Sequence, residues 1–559
     1  MTYDLRSLRL PRVGGGMLGV VATLLESPLT SAPLRSKLLR DAGIDRMRRI
    51  RADEPPTYLP LHFASGDGRS SVAPAPLDME RARGAPRGFR APGVHDYARA
   101  YREGRVTPDE VAHRLLDAIA AGEANDPPLR AVVRSDRDDV LRQARASTER
   151  IRAGRALSVF DGVPVATKDE VDQVPYPTGV GTSFLGRTPV RADATIVARM
   201  RASGALLFGK TNMHEIGAGV TGLNIHHGTP RNPYAPAHHT GGSSSGSAAA
   251  VAAGLCPVAI GADGGGSIRI PAALCGVFGL KPTFGRVSEH GATPLCWSVA
   301  HLGAITAGAG DSALAYAVIA GPDEQDPNSL HQPPPRFDDL GREDLRGLVL
   351  GVYMPWLRHA SAPMVSACEA LLARFRELDA EVRDIVIPEL DAARIGHAVT
   401  IASEIAAAMQ PYEAHNAEFS PEIRVNLALG RAFASSDYVQ AQRIRTRTIT
   451  HFERALAEVH AIITPATAIA APRIRDDALA RGESNLSVLD EIMRFALAPN
   501  FTGHPAMSFP AGYDDAGLPL GVQAIGRPWE EHVLLRLALA AERVVERRKP
   551  VLYWNPLGA

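Results

Sequence analysis

Residues 240–271, TGGSSSGSAAAVAAGLCPVAIGADGGGSIRIP, constrain this 559-residue chain more than any other stretch. Two Gly/Ser clusters flank a run of small helix formers and a short apolar segment. A glycine-rich turn lets backbone N–H groups approach a ligand closely, and a serine at its end is well placed to react. The pattern predicts a helix over 244–253, a strand over 258–262, and a tight turn through Gly264, Gly265 and Gly266 that ends on Ser267. The first cluster, Gly242-Ser243-Ser244-Ser245-Gly246, formally fits G-x-S-x-G. That nucleophile elbow needs a strand directly before it, and Tyr234-Ala235-Pro236-Ala237-His238-His239-Thr240 does not read as a buried one. Taken alone, the second cluster reads either as a structural turn or as a nucleophile beside an anion-binding concavity of successive N–H groups.

Strand and helix signals alternate around this stretch. Thr107-Pro108-Asp109-Glu110 is a capping box with proline at the first helical position. A helix over about 135–153 precedes a short apolar strand, 162–167, which delivers Lys168 at its end. Helix 194–203 leads into strand 205–209. Further strands are predicted at 348–353, 460–464, 506–510 and 521–525, and long helices at 364–378, 392–410, 438–459 and 530–545. Such alternation predicts an α/β chain whose largely parallel sheet is covered on both faces. Residues 1–94, rich in Pro, Arg and Gly, read as an N-terminal extension, and residues 95–559 as one large domain. In the extension, the apolar run Met17–Leu25 and the basic segment 35–51 are candidate helices for a membrane surface or a partner.

Composition narrows the chemistry. Formal net charge is zero, which excludes the basic footprint of a nucleic-acid binder. The four cysteines form no CxxC pair, so a reduced compartment without a disulfide framework is expected. No secretory signal is read, and the apolar run 17–25 is far shorter than the roughly 20 residues of a membrane span, so a cytoplasmic protein is expected. The pairs His226-His227 and His238-His239 lack a carboxylate or cysteine at ligand spacing, and no metal is expected. Lysine is scarce: only Lys37, Lys168, Lys210, Lys281 and Lys549 occur among 61 basic residues. Arginine stays charged in proteins, whereas a buried lysine can give up its proton. That makes the motif lysines Lys168 and Lys281 candidates for a role other than plain charge.

The order and spacing of these motifs carry a resemblance. Gly162-Val163-Pro164-Val165-Ala166-Thr167-Lys168-Asp169 is followed by Ser243 in the first cluster, by Asp263-Gly264-Gly265-Gly266-Ser267, and by Gly279-Leu280-Lys281-Pro282-Thr283. Lys210-Thr211-Asn212, Arg231-Asn232-Pro233, Thr464-Pro465-Ala466-Thr467 and Gly517-Leu518-Pro519-Leu520-Gly521-Val522-Gln523 extend it. From about residue 95 to its end the chain resembles the amidase signature family of serine hydrolases. The resemblance implies a single large domain with a mixed, mostly parallel sheet of about eleven strands among helices, and no cofactor. It implies a Ser–cisSer–Lys set: Ser267 attacks the amide carbonyl, Ser243 follows a cis peptide bond and relays the proton, and Lys168 accepts it. It further implies an oxyanion hole from the N–H groups of Gly264, Gly265, Gly266 and Ser267.

Within the family, Gly242-Ser243-Ser244-Ser245-Gly246 and Asp263-Gly264-Gly265-Gly266-Ser267 depart from the commoner forms and resemble those of plant-type fatty acid amide hydrolases. So do Leu24-Leu25-Glu26-Ser27-Pro28-Leu29, Glu54-Pro55-Pro56-Thr57-Tyr58 and His95-Asp96-Tyr97-Ala98-Arg99-Ala100-Tyr101-Arg102. This implies cleavage of N-acylethanolamines and related lipid amides, a homodimer, and an N-terminal helical region near the acyl channel and the membrane surface. An amidase for small or aromatic carboxamides, or the glutaminase component of an amidotransferase complex, shares the same core motifs.

Overall fold

Short runs of small and β-branched residues with no polar alternation suit a strand buried on both faces. Five such runs, Pro164–Lys168, Leu206–Thr211, Val258–Ala262, Leu302–Thr306 and Ala461–Pro465, are buried at every position. In the computed structural model, which describes residues 3–8, 11–63 and 86–558, these runs lie in one eleven-stranded sheet. Positions 64–85 of the Pro/Gly-rich extension lie outside the described residues. Along the chain the strands are β1 (Val132–Arg134), β2 (Pro164–Lys168), β3 (Leu206–Thr211), β4 (Val258–Ala262), β5 (Phe278–Lys281) and β6 (Leu302–Thr306). They continue with β7 (Val349–Val352), β8 (Glu381–Asp384), β9 (Ala461–Pro465), β10 (Ala506–Tyr513) and β11 (Pro519–Gly526). The spatial order is β8-β7-β9-β11-β10-β5-β6-β4-β2-β3-β1.

The sheet has the expected strand number and is mixed, but it is not mostly parallel. Only β7/β8, β7/β9, β2/β4 and β2/β3 pair in parallel; the other six pairings are antiparallel. The reason is local. A short turn after Tyr513 joins β10 to β11, and so tight a connection permits only a hairpin. The long loop after Lys281 returns β6 between β5 and β4, antiparallel to both.

One consequence positions the site. β2 and β4 run parallel and adjacent, with Val165 opposite Val258 and Thr167 opposite Ile260, so Lys168 and Ala262 emerge at the same edge. Leu302 at the start of β6 pairs with Ala262, which brings the preceding loop to that edge too. The C-terminal ends of parallel strands are where open α/β sheets bind ligands.

The N-terminal residues pack on this body. Ile44 and Met47 of helix Ile44–Arg49 are buried in a cluster with Ala393, Ile395, Ile444 and Phe501. Leu18, Ala22 and Leu25 of helix Gly15–Glu26 pack with Val425 and Ala428. Arg48 holds the Asp437 carboxylate with two hydrogen bonds, of 2.8 and 2.9 Å. The described residues contain no single helix long and apolar enough to cross a membrane. Because Met47 is fully buried, Met47→Ala is expected to lower stability by about 2–5 kcal/mol in chemical denaturation, as for other core truncations. An effect within a few tenths of a kcal/mol would mean that this helix is not integral to the fold.

Candidate active site

Lys168 is the last residue of β2, and its side chain is almost wholly buried. Its Nζ lies 2.8 Å from Ser243 Oγ, 3.1 Å from Glu170 Oε2 and 3.4 Å from the Ala262 carbonyl. The Gly242–Ser243 peptide is cis, as the resemblance implies. The other serines of the first cluster point elsewhere. Ser244 Oγ donates to Ala262 O (3.1 Å), Ser247 Oγ donates to Ile260 O (3.1 Å), and Ser245 Oγ donates to Asn212 O (3.4 Å). They fasten helix Ser245–Ala252 to the sheet edge and leave Ser243 alone aimed at the lysine. The strand that an elbow would need is absent from the large sheet; Ala235–His239 pairs with Arg231–Asn232 in a separate, partly exposed hairpin.

The second cluster is folded by Asp263. Its Oδ1 accepts from Gly266 N (2.7 Å) and Arg269 Nη2 (3.0 Å), and its Oδ2 from Ile268 N (3.1 Å) and Arg269 Nε (2.9 Å). Gly266 sits at φ +115°, where an added Cβ would lie 2.5 Å from Ile270 Cδ1, so only glycine makes this turn. The N–H of Ser244 donates to the Ser267 carbonyl (3.2 Å), which ties the two clusters together. Burial alone would raise the Asp263 carboxyl; the Arg269 guanidinium overrides it and holds the group far below the usual carboxylate range.

Of the four N–H groups expected to form the oxyanion hole, that of Gly266 donates to Asp263, whose carboxylate folds back over the loop. Among the described residues no hydrogen-bond partner is found for the N–H groups of Gly264, Gly265 and Ser267. The Gly264 carbonyl accepts from His397 Nε2 at 2.8 Å. That bond requires the proton on Nε2, and burial pulls His397 down to about 4, which keeps the ring neutral.

Ser267 stands between two cavities. One, about 100 Å³, is bordered by Lys168, Glu170, Ser243, Glu289 and Trp297. The other, about 230 Å³, has walls that include Leu8, Ile44, Ile401, Leu427, Phe433 and Met493, and is overwhelmingly apolar. Lys281 borders neither cavity; its buried Nζ donates to the carbonyls of His504 (2.7 Å) and Pro282 (3.0 Å). The histidine pairs form no ligand set: His226 pairs with Glu215 (2.8 Å) and His227 with the Thr182 carbonyl (3.0 Å). Among the described residues no group of three or more His, Cys, Asp or Glu side chains is arranged to hold a metal ion.

Sequence reasoning misses Glu170, Asp263, Arg269, Glu289 and His397. Asp263 and Arg269 do carry a signal, since opposite charges six residues apart bracket the glycine turn. His397 lies 130 positions from Ser267 on another helix, and nothing local marks it.

Comparisons with known proteins give the family. The Amidase family model matches residues 114–535. Fatty acid amide hydrolase of Arabidopsis thaliana is 38% identical over 586 aligned residues, covering 99% of this chain and 96% of that protein. Fatty acid amide hydrolase of Medicago truncatula is 37% identical over 100% of this chain and 97% of its own length. The solved peptide amidase from Stenotrophomonas maltophilia superposes with a TM-score of 0.71 at 30% identity, across 82% of this chain and 98% of that one. The fold and these relatives define an amide hydrolase. The chain belongs to the amidase signature family.

Two measurements test this site's supports. Asp263→Asn leaves the Arg269 guanidinium buried without its countercharge and is expected to cost about 3–5 kcal/mol in denaturant unfolding. A loss below about 1 kcal/mol would show that the ion pair does not hold the turn. His397 protonates near 6.5 when unfolded and only near 4 when folded, so its contribution is intact above pH 6.5 and is lost as pH falls towards 4. His397→Gln is therefore expected to show a shallower decline of Tm than wild type between pH 6.5 and 4; an identical slope would contradict it.

Proposed function

We propose that the chain hydrolyses long-chain fatty acid amides through an acyl-enzyme on Ser267. The observation that carries this reading is Ser267 standing at the junction of a lysine–serine pair and a large apolar cavity. Its likeness across nearly its whole length to a protein named fatty acid amide hydrolase supports it.

The chemistry follows from the contacts. A neutral amine has two N–H groups and one lone pair. To act as the base, Lys168 must turn its lone pair to the Ser243 hydroxyl, 2.8 Å from Nζ, with Glu170 and the Ala262 carbonyl within reach of its two N–H groups. Ser243 passes its proton to Lys168 and takes the proton of Ser267 as the Ser267 oxygen bonds to the carbonyl carbon. The oxyanion is met by the N–H groups of Gly264, Gly265 and Ser267, held towards it by the Asp263 and His397 hydrogen bonds. The proton returns through Ser243 to the amide nitrogen, the C–N bond breaks, and the amine departs. Water then adds to the acyl carbon by the same relay and frees Ser267 as the carboxylic acid leaves.

The apolar cavity takes the acyl chain. Its wall includes Leu8, Ala42 and Ile44, so the N-terminal residues shape acyl specificity. Met17, Val20, Leu24 and Leu29, which precede Ile44 in the chain, are exposed, and they are the face we assign to contact with a lipid surface.

A hydrolysis panel running from acetamide to long-chain N-acylethanolamines tests the proposal. kcat/KM is expected to rise with acyl length and to fall by at least about 10³-fold in Ser267→Ala and by about 10²–10⁴-fold in Lys168→Ala. Retained activity in Ser267→Ala would remove Ser267 as nucleophile, and a preference for acetamide would remove the lipid-amide reading.

A further inference from the structure

Glu289 lies on the loop between β5 and β6 and borders the same cavity as Lys168, Ser243 and Ser267. Only its backbone is tied down: its N–H donates to Asp326 Oδ2 at 2.9 Å and its carbonyl accepts from Ala292 N at 3.0 Å. Among the described residues no donor reaches its carboxylate. The other charged groups around that cavity are matched. Asp263 is bound by Arg269 (2.9 Å), and Glu170 lies 3.1 Å from Lys168 Nζ. Glu289 is thus the one carboxylate on this wall with no basic side chain in contact with it among the described residues. Its side chain is half-buried and lines the cavity. Burial, with Asp326, Glu170 and Glu404 as like charges, pushes its carboxyl well above the usual carboxylate range. Trp297, 41% exposed, borders the same space and supplies an aromatic face. Carboxylates beside an indole form the surroundings that bind organic ammonium groups.

The position of this wall gives it a role. An amide bond cleaved at Ser267 has an acyl half and an amine half. The apolar cavity accounts for the acyl half, which leaves the acidic cavity to the amine. We propose that Glu289, with Glu170 and Trp297 beside it, selects amines that carry a second, protonated nitrogen, so that N-acyl diamines are preferred over N-acyl alkylamines. This rests on the reading of Ser267 and the apolar cavity given above. An ammonium in this cavity ionises Glu289 and forms a charge-assisted hydrogen bond with it; an alkyl group of the same length has no such partner and covers a polar wall. The reaction itself is unchanged: water adds across the acyl C–N bond, and the diamine departs with one proton gained from the relay.

Three amides of one long acyl chain, those of ethylenediamine, ethanolamine and propylamine, separate the outcomes. With wild-type enzyme at neutral pH, kcat/KM for the ethylenediamine amide is expected to exceed that of the propylamine amide by about tenfold or more. Glu289→Gln is expected to bring that ratio close to one, and Glu289→Asp, which keeps the charge, to retain a ratio well above one. A wild-type ratio at or below one overturns the proposal without any variant being needed. An unchanged ratio in Glu289→Gln also overturns it. If none of the three long-chain amides is cleaved while small carboxamides are, the fatty acid amide reading fails instead, so the two failures are distinguishable.

Discussion

Asp263 leaves β4 with its carboxylate turned back over the loop that follows, and the geometry of Ser267 depends on that inward turn. Two backbone N–H groups and two guanidinium nitrogens converge on its oxygens within 3.1 Å. A buried charge is tolerated only when every lone pair and its countercharge are matched, and here they are. Arg269 spends its remaining donors on Gln523 and Asn500, and Asn500 in turn donates to the carbonyls of Asp263 (2.6 Å) and Val299 (3.0 Å). Gln523 lies on β11, across the sheet. One ion pair therefore fixes the glycine turn, the loop entering β6 and a distant strand at once. No apolar pair of equal volume could do this, because the turn's N–H groups need an acceptor.

That turn matters because of which strands meet beside it. β2 and β4 are parallel neighbours, so the chain emerges from both at one edge, with Lys168 from one and Asp263 from the other. β6 then runs antiparallel to β4 and brings the loop carrying Glu289 and Trp297 over the same edge. A fully parallel sheet would need a helical crossover between β4 and β6 and would place the start of β6 at the far end. The mixed topology is what lets one edge collect a lysine, two serines and an acidic wall from segments that are distant in sequence.

Lys168, Ser243 and Ser267 are singled out by the order and spacing of motifs that resemble the amidase signature, and the fold brings all three to one cavity. Seven of the eleven strands are legible as apolar runs; β1, β5, β6 and β8, each of three to five residues, are not. Strand direction is not legible either. Helix-length connections look alike whether they cross over or double back, and β5, β6 and β4 differ only in where a long loop returns. A motif counts the N–H groups of the glycine turn but does not say that a neighbouring carboxylate engages the one at Gly266. Glu289 and His397 are illegible for another reason. An unpaired carboxylate and a neutral buried histidine are ordinary residues until the fold shows what faces them.

The two acids beside the lysine also answer a charge problem that the mechanism creates. When the relay moves a proton to Lys168, a positive charge appears in a buried site. If the leaving amine carries an ammonium, a second positive charge lies in the same cavity. Like charges that close, in a medium of low effective dielectric, would oppose the proton transfer itself. Glu170, 3.1 Å from Nζ, meets the first charge, and Glu289 on the facing loop meets the second. A site for neutral alkylamines needs only the first acid. The second carboxylate on that wall has no basic side chain in contact with it among the described residues, and a cationic leaving group is the chemistry that gives it a partner.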